Sequence, residues 1–261
     1  MKKAFVGLAL FSLLLVFSII FASFSSEVDL ALRLSEPSLS APFGYDTLGR
    51  NLLERISAGV LVSLSIALAV AFLSIFLGLL IAYFMSLDSA IASVFMVICN
   101  SLKVIPSIIL ALFLAAISGP GVLKLIIALS VAMVSNVART VFLKIKVISR
   151  EGYIKVSEGF GIGRTRIFFS HILPELFPYL REQGLSIILS TIIAESSLSY
   201  LGCGVGVTTP SLGGILAEGR PFLLTAPWLV VFPSLALFLL GLSLSLISRG
   251  LARKSEFDSS S

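Results

Sequence analysis

The chain has 261 residues, of which 57% are hydrophobic and 13% are charged, and its formal net charge is +5. Soluble domains carry about 25% charged residues, so the composition excludes an ordinary water-soluble globular protein. The basic residues are not interleaved with aromatic side chains that could stack on bases, which argues against a nucleic-acid partner. We therefore expect a membrane protein whose basic residues reflect its orientation in the lipid bilayer.

Six apolar segments are long enough to cross a membrane, for which a helix needs about 20 predominantly apolar residues. They cover residues 4–24, 57–85, 91–117, 122–147, 184–202 and 226–247. This pattern predicts an all-α membrane protein with six transmembrane helices. The predicted organisation is a first helix and outer loop in 1–56, a transmembrane domain in 57–250 and a short tail in 251–261.

The first apolar segment follows Lys2 and Lys3, as the apolar part of a secretory signal also would. Signal sequences have an apolar region of only about 7 to 15 residues. The segment 4–24 is longer than that, which favours an uncleaved first transmembrane helix.

The distribution of basic residues predicts the orientation of the chain. With six spans, both termini, the turn at 86–90 and the polar segment 150–178 share one side of the membrane. Thirteen of the 19 Lys and Arg residues then lie on that side. Because basic residues accumulate in cytoplasmic loops, we expect both termini in the cytoplasm.

Two of the predicted spans contain polar residues. Pro106 interrupts the third span, whose inner half also contains Asn100 and Lys103, and the fourth ends in a basic stretch from Arg139 to Lys146. Proline is tolerated in a membrane helix where neighbouring helices or water satisfy the freed carbonyl. We expect the third helix to lie in a bundle, with Lys103 either extending to the interface or lining an inner vestibule.

The sequence does not contain the residues that several kinds of chemistry require. No Gly-Lys dipeptide occurs, so the chain has no Walker A phosphate loop. His171 is the only histidine, which excludes a His-based metal cluster or catalytic triad within this chain. Cys99 and Cys203 lie in apolar runs, where we expect small buried side chains rather than a disulfide. The sequence predicts neither an enzyme nor a metal site.

The polar segment 150–178 is long for a connection between two helices, which usually takes a few residues. Its pattern predicts two short helices, 151–160 and 164–171, joined at Gly161 and Gly163, with Pro174 ending the second or beginning a new element. Such a helix-turn-helix in the cytoplasm is predicted to bind a soluble protein. A plain solvated connector is the alternative.

This segment also has a recognisable spacing. Lys155-Val156-Ser157 is followed by three residues, then Gly161, then nine residues, then His171-Ile172-Leu173-Pro174. The spacing resembles the "EAA loop" of binding-protein-dependent ABC transporter permeases. Lys155 stands where the family pattern has glutamate, and Ser157 stands where it has the second alanine.

Two further blocks resemble the dipeptide, oligopeptide and nickel branch of that family. Residues 44–55, which contain Asp46 and Arg50, resemble its "LGTDxxGRDxxSR" segment. Residues 194–204, 209–213 and 216–220 resemble "AExxLSFLGLG", "TPSWG" and "LAEGR". The resemblance extends from about residue 42 to 249.

The resemblance implies the type I ABC importer permease fold in the inner membrane, with this chain forming half of a pathway for peptides. It also implies a second permease subunit, two cytoplasmic ATPase subunits that bind ATP and Mg, and an extracytoplasmic solute-binding protein. Nickel uptake uses the same architecture and stays open as an alternative, as do a channel or carrier without ATPase and a membrane scaffold.

Three groups of site residues follow. The ATPase-coupling residues are Lys155, Val156, Ser157, Glu158, Gly161, Arg164, His171, Leu173 and Pro174. The pathway candidates are Lys103, Pro106, Glu195 and Ser196. The outer-loop candidates are Asp46, Arg50, Arg55, Glu218 and Arg220.

Several of these candidates have two interpretations. Glu195 is the only acidic residue deep in a predicted span, where it either contacts substrate or accepts hydrogen bonds from neighbouring Ser or Thr. Asp46, Arg50 and Arg55 either pair with one another or contact the binding protein. The segment 210–220 forms either an outer gate or a surface cap. His171 is predicted to belong to the docking surface.

Overall fold

The computed structural model describes residues 2–23, 27–87, 90–206 and 208–258, without the side chains of 2, 3, 90, 91 and 251–258. These residues form α-helices joined by short turns, with one isolated bridge between Tyr45 and Asn51. The helices are α1 (Lys2–Phe21), α2 (Leu52–Met85), α3 (Ala90–Leu102), α4 (Ser107–Ser118), α5 (Val122–Ile148), α6 (Gly152–Gly159), α7 (Arg164–Ile167), α8 (Leu173–Tyr200), α9 (Leu212–Gly219) and α10 (Trp228–Asp258). The predicted turn at 86–90 and tail at 251–261 fall partly outside the described residues.

The centre of the bundle is the contact between α2 and α5. Ile66 and Val70 of α2 are fully buried in the same apolar cluster as Leu129 and Val137 of α5. A side chain at Gly78 would place its Cβ 2.6 Å from Val137 Cγ1. The two helices can therefore approach closely only because position 78 is glycine, as small residues allow in membrane bundles.

The first helix lies at the edge of the bundle, against α10. A Cβ on Gly7 would lie 2.8 Å from Leu246 Cβ, so this contact also depends on a glycine. Most of the outward side chains of α1 are exposed, among them Phe5, Leu13 and Ile20. Exposed apolar side chains along a whole helix are expected where the surroundings are lipid.

Four helices in the described part of the chain are long and apolar enough to cross a membrane, or five if the bent pair α3 and α4 counts as one span. The predicted segment 184–202 does not meet this criterion. It lies within the longer helix α8, which also contains Arg181, Glu182 and several serines. Its polar residues lower the mean hydropathy of α8 below that of the other long helices, so length and composition alone do not single it out as a span.

The third predicted span is a sharply bent pair of helices and not one kinked helix. The two parts, 92–102 and 107–118, differ in direction by 89°. Pro106 precedes α4 and has no N–H to continue a helix, and a proline also disfavours helical geometry in the residue before it. The backbone leaves the helix at Lys103 and resumes it at Ser107.

The polar segment 150–178 contains α6 and α7, as predicted, but its second helix does not end near His171. A single π-helical turn, Phe168–Ile172, joins α7 to α8. Pro174 lies in the first turn of α8, directly after this π turn, and it has no backbone N–H to donate. The polar segment is consequently continuous with a long helix of the bundle.

Candidate translocation and coupling sites

A polar cavity of about 250 Å³ lies beside the break between α3 and α4. Lys103 and Pro106 both line it, and the central parts of α5 and α8 complete its wall. Its polar lining residues are Lys103, Ser107, Ser135, Asn136, Gln183, Ser186 and Ser190. Two of the four pathway candidates therefore share one cavity, and Asn136 and Gln183 are lining residues that the sequence did not single out.

Glu195 and Ser196 do not line that cavity. The Glu195 side chain is fully buried and accepts hydrogen bonds from Ser63 Oγ at 2.7 Å, Ser199 Oγ at 2.8 Å and Ser196 Oγ at 3.4 Å. The structure shows the second interpretation of Glu195, in which neighbouring serine hydroxyls donate hydrogen bonds to its carboxyl group. The carboxyl group joins α8 to α2, since Ser63 lies on α2.

The short outer helix α9 packs directly on α8. A Cβ on Gly213 would lie 2.0 Å from the carbonyl oxygen of Ser196, so only glycine fits there. Ser211 caps α9 by accepting a hydrogen bond from the Gly214 N–H at 3.1 Å. The helix is held against the same turn of α8 that carries Glu195.

Four of the outer-loop candidates form one ionic cluster. Arg55 donates to Glu218 Oε2 at 2.7 Å and to Glu218 Oε1 at 3.0 Å, and it also pairs with Asp46. Arg50 Nε lies 2.7 Å from Asp46 Oδ2. Arg220 is exposed and takes part in none of the ion pairs among the described residues.

The cluster ties α9 to the segment before α2. Arg55 and Asp46 are 5% and 1% exposed, so their charges are held away from water and must compensate each other. Asp46 also accepts hydrogen bonds from the backbone N–H groups of Leu48 and Arg50. The pairing interpretation of this cluster is thus what the structure contains.

The predicted coupling residues are all exposed or partly exposed, and the buried anchor of α6 is Ile154, which the sequence did not single out. On α6, Ile154 is buried in the main apolar cluster, whereas Val156 and Phe160 are 58% and 82% exposed. Lys155, Glu158, Gly161, Arg164 and Pro174 are also exposed, and Ser157, His171 and Leu173 are partly exposed. One face of α6 therefore anchors the helix while the other presents two apolar side chains to the surroundings.

The polar segment 150–178, the candidate coupling segment, is joined to the bundle through Tyr83 near the end of α2. The Tyr83 hydroxyl lies 3.0 Å from Thr165 Oγ1, and its ring centroid is 4.7 Å from that of Phe168. Phe168 and Ile167 are themselves buried. These contacts fix α7 on the C-terminal end of α2, a pairing that could not be predicted from local sequence.

A second attachment joins α6 to the start of α8. The Tyr153 hydroxyl donates a hydrogen bond to the Glu175 carboxylate. This bond raises the pKa of Tyr153 to about 12, because it stabilises the protonated phenol beside a negative charge. The Tyr153 ring also lies 6.3 Å from that of His171.

Taken together, the bent helix pair, the long polar bundle helix and the anchored polar segment 150–178 have the architecture of a membrane transport subunit of the type I ABC importer class. Residues 74–256 match the family described as binding-protein-dependent transport system inner membrane component. The chain belongs to this family, in the branch of ABC permeases that serve peptide transport systems.

Two relatives and one solved structure illustrate the similarity. The dipeptide transport system permease protein DppC of Alkalihalophilus pseudofirmus is 32% identical over 259 residues, covering 96% of this chain and 84% of that protein. The glutathione transport system permease protein GsiD of Salmonella paratyphi A is 32% identical over 220 residues, covering 82% and 71%. A chain of the MetNI methionine ABC transporter, solved in inward-facing conformations, has a TM-score of 0.56 at 21% identity, covering 74% and 94%. At that identity the last similarity shows the fold alone.

Proposed function

We infer that this chain is the permease subunit of an ATP-driven importer of di- and oligopeptides and forms half of the translocation pathway. It couples to a cytoplasmic ATPase through residues 150–178. The observation that carries this proposal is the two-sided construction of α6. Ile154 anchors the helix to the bundle while Val156 and Phe160 remain exposed.

An ATPase subunit is the partner that suits this surface. Phe160 directly follows α6, and its N–H donates to the Val156 carbonyl oxygen at 3.1 Å, so the two side chains, four residues apart, lie on one face. Lys155 and Glu158 flank them with charge. An apolar pair within a charged rim is typical of a protein-docking surface, and such a surface on a chain without a phosphate loop suits a partner that hydrolyses ATP. ATP and Mg would bind to that partner and not to this chain.

The attachments of the coupling segment give it a way to move the bundle. Tyr83 links α7 to α2, and the π turn makes α7 continuous with α8. A displacement of α6 and α7 by the ATPase would therefore act on two helices, and α8 contributes Gln183, Ser186 and Ser190 to the polar cavity. Closely packed interiors transmit such displacements as shifts of whole elements.

The names of the relatives support a peptide as the substrate. One is named for dipeptides and another for glutathione, which is itself a small peptide. Nickel, the alternative that the sequence left open, has no comparable support from these names. A channel or a carrier without ATPase would not need the docking surface on α6, and a scaffold that only anchors cytoplasmic proteins would not need the polar cavity beside the α3–α4 break.

The remaining parts of the assembly follow from the family. We infer a second permease subunit, two ATPase subunits and an extracytoplasmic solute-binding protein. The chain would cross the inner membrane with both termini in the cytoplasm. That orientation requires α3 and α4 to cross as one unit and α8 to cross despite its polar residues.

Reconstitution of the complete assembly in lipid vesicles tests the proposal. Uptake of a labelled dipeptide should require ATP in the compartment that the ATPase subunits face. It should also require the binding protein in the compartment on the opposite side of the membrane. Uptake without ATP would support a channel or carrier, and no uptake by an assembled complex would support a scaffold. Replacing the dipeptide with nickel ions in the same vesicles separates the two substrate classes.

A further inference from the structure

The polar cavity beside the α3–α4 break has a distinctive charge. Its lining contains one formally charged group, the Lys103 ammonium, and no carboxylate. None of the salt bridges among the described residues includes Lys103. The cavity is therefore electropositive without a resident counter-ion.

The cavity also lies at the middle of the bundle. Its α5 residues fall within 132–137, and its α8 residues fall within 183–190, both in the central part of long helices. Irregular backbone at membrane depth is tolerated where it lines a protected or water-filled space. Discontinuous helices at this depth form the substrate sites of many membrane transporters.

The other polar lining residues suit a ligand that both donates and accepts hydrogen bonds. Asn136 and Gln183 carry carboxamides, and the serine side chains carry hydroxyls. Each of these groups can donate and accept. A neutral polar wall around one cation matches a ligand with peptide groups and one carboxylate.

We propose that this cavity binds the carboxylate of a transported peptide, with Lys103 as its cationic partner. Asn136 and Gln183 hydrogen-bond the peptide groups. The inference rests on the proposed function, since it names the substrate group that one part of the pathway recognises. The carboxylate can come from the carboxyl terminus of the peptide or from an acidic side chain, and the two sources require separate substrates in the test.

The first experiment measures ATP-driven uptake by the reconstituted assembly for three labelled substrates. They are alanylalanine, its carboxyl-terminal amide, and aspartylalanine amide, whose single carboxylate is on a side chain. Lys103→Met removes the charge, Lys103→Arg keeps it, and Lys124→Met is the matched control at an exposed lysine outside the cavity. Because each variant is compared with the unmodified chain for the same substrate, preferences of the binding protein cancel.

The expected result is that Lys103→Met raises the KM for alanylalanine by about tenfold, the effect of losing one charge-assisted hydrogen bond. Uptake of the amide by Lys103→Met stays unchanged, as does uptake of alanylalanine by the Lys124→Met control. Lys103→Arg, which keeps the charge in a different geometry, raises the KM for alanylalanine less than Lys103→Met does. An increase in KM for aspartylalanine amide would assign the site to any carboxylate, and no increase would assign it to the carboxyl terminus. Equal increases in KM for alanylalanine and for its amide would overturn the proposal. An increase in KM that disappears in vesicles without anionic lipid would also overturn it.

A second measurement does not depend on transport. Ser186 lies in the cavity wall and is exposed, so Ser186→Cys should react with a small thiol reagent. Alanylalanine should slow that reaction several-fold when Lys103 is present and not in Lys103→Met, whereas the amide should not slow it in either. If the assembly transports nothing, the proposed function fails. The protection of Ser186→Cys by alanylalanine still decides whether the cavity binds a carboxylate. If alanylalanine does not slow the thiol reaction, the carboxylate site is contradicted.

Discussion

The Ser63 hydroxyl of α2 donates a 2.7 Å hydrogen bond to the fully buried carboxyl group of Glu195 on α8, across 132 residues of sequence. An unsatisfied polar group in the interior of a membrane protein is costly. This bond therefore links the geometry of α2 to that of α8, the same two helices to which the coupling segment is attached.

Loss of the Ser63 hydroxyl should weaken the bundle. Ser63→Ala is expected to lower the free energy of unfolding by about 1–2 kcal/mol, because Glu195 loses its shortest hydrogen bond. Thermal unfolding of the purified chain in detergent measures this effect. Ser74→Ala is the matched control, since Ser74 is on the same helix, is equally buried and has a hydroxyl without a partner among the described residues. A loss of stability in the control as large as in Ser63→Ala would contradict the assignment.

The outer ionic cluster should depend most strongly on Arg55. Arg55→Met would leave the buried carboxylate of Asp46 with only Arg50 as its ionic partner, and we expect a loss of about 3 kcal/mol in unfolding free energy. Glu218→Gln should cost less, because the Glu218 side chain is 31% exposed. The comparison can be made by thermal unfolding. If the unmodified chain, Arg55→Met and Glu218→Gln had the same free energy of unfolding, the ion pairs would contribute nothing to stability.

The hydrogen bond between Tyr153 and Glu175 gives a pH dependence. The folded chain favours the protonated phenol, so this contribution is present below the ordinary tyrosine pKa near 10 and is lost as the pH rises through about 12. Ultraviolet titration of the chain should show one tyrosine that ionises near pH 12. The same titration of Tyr153→Phe should lack this component; if the late component persists, it belongs to another tyrosine.

The structure also shows which features can be predicted from sequence. The apolar segments, the polar loop with its two short helices and the break at Pro106 depend on local composition and on the chemistry of proline, and all were predicted. The 89° angle between α3 and α4 was not, because a proline sets where a helix ends and not where the chain goes next. The continuity of α7 with α8 was missed for a similar reason, since Pro174 is compatible both with the end and with the beginning of a helix.

The sites were predictable in proportion to how local they are. Asp46, Arg50 and Arg55 are neighbours in sequence, but Glu218, which pairs with both arginines, is more than 160 residues away. Glu195 could be recognised as a buried carboxyl group that needs donors, yet nothing in a serine within an apolar helix marks Ser63 as one of them. The cavity residues Asn136 and Gln183 gain their meaning only when α5 and α8 are placed beside the α3–α4 break.

Two glycines in residues 150–178 test whether this segment transmits the work of an ATPase to the bundle. Gly161 has φ +77°, which proline cannot adopt, whereas Gly163 has φ −61° and ψ 143°, close to the geometry of proline. A Cβ at either position would meet nothing within 4 Å. The two substitutions therefore differ in backbone geometry and in the hydrogen bond from the Gly161 N–H to the Glu158 carbonyl oxygen at 2.9 Å, which Gly161→Pro also removes.

The decisive measurement is dipeptide uptake per ATP hydrolysed by the reconstituted assembly, for Gly161→Pro and Gly163→Pro. We expect Gly161→Pro to lower the uptake per ATP hydrolysed at least about tenfold, because the joint between α6 and α7 must rearrange. The subunit should still insert and fold. Gly163→Pro should retain the ratio of the unmodified chain. Normal coupling in Gly161→Pro, with an unchanged amount of bound ATPase, would contradict the claim.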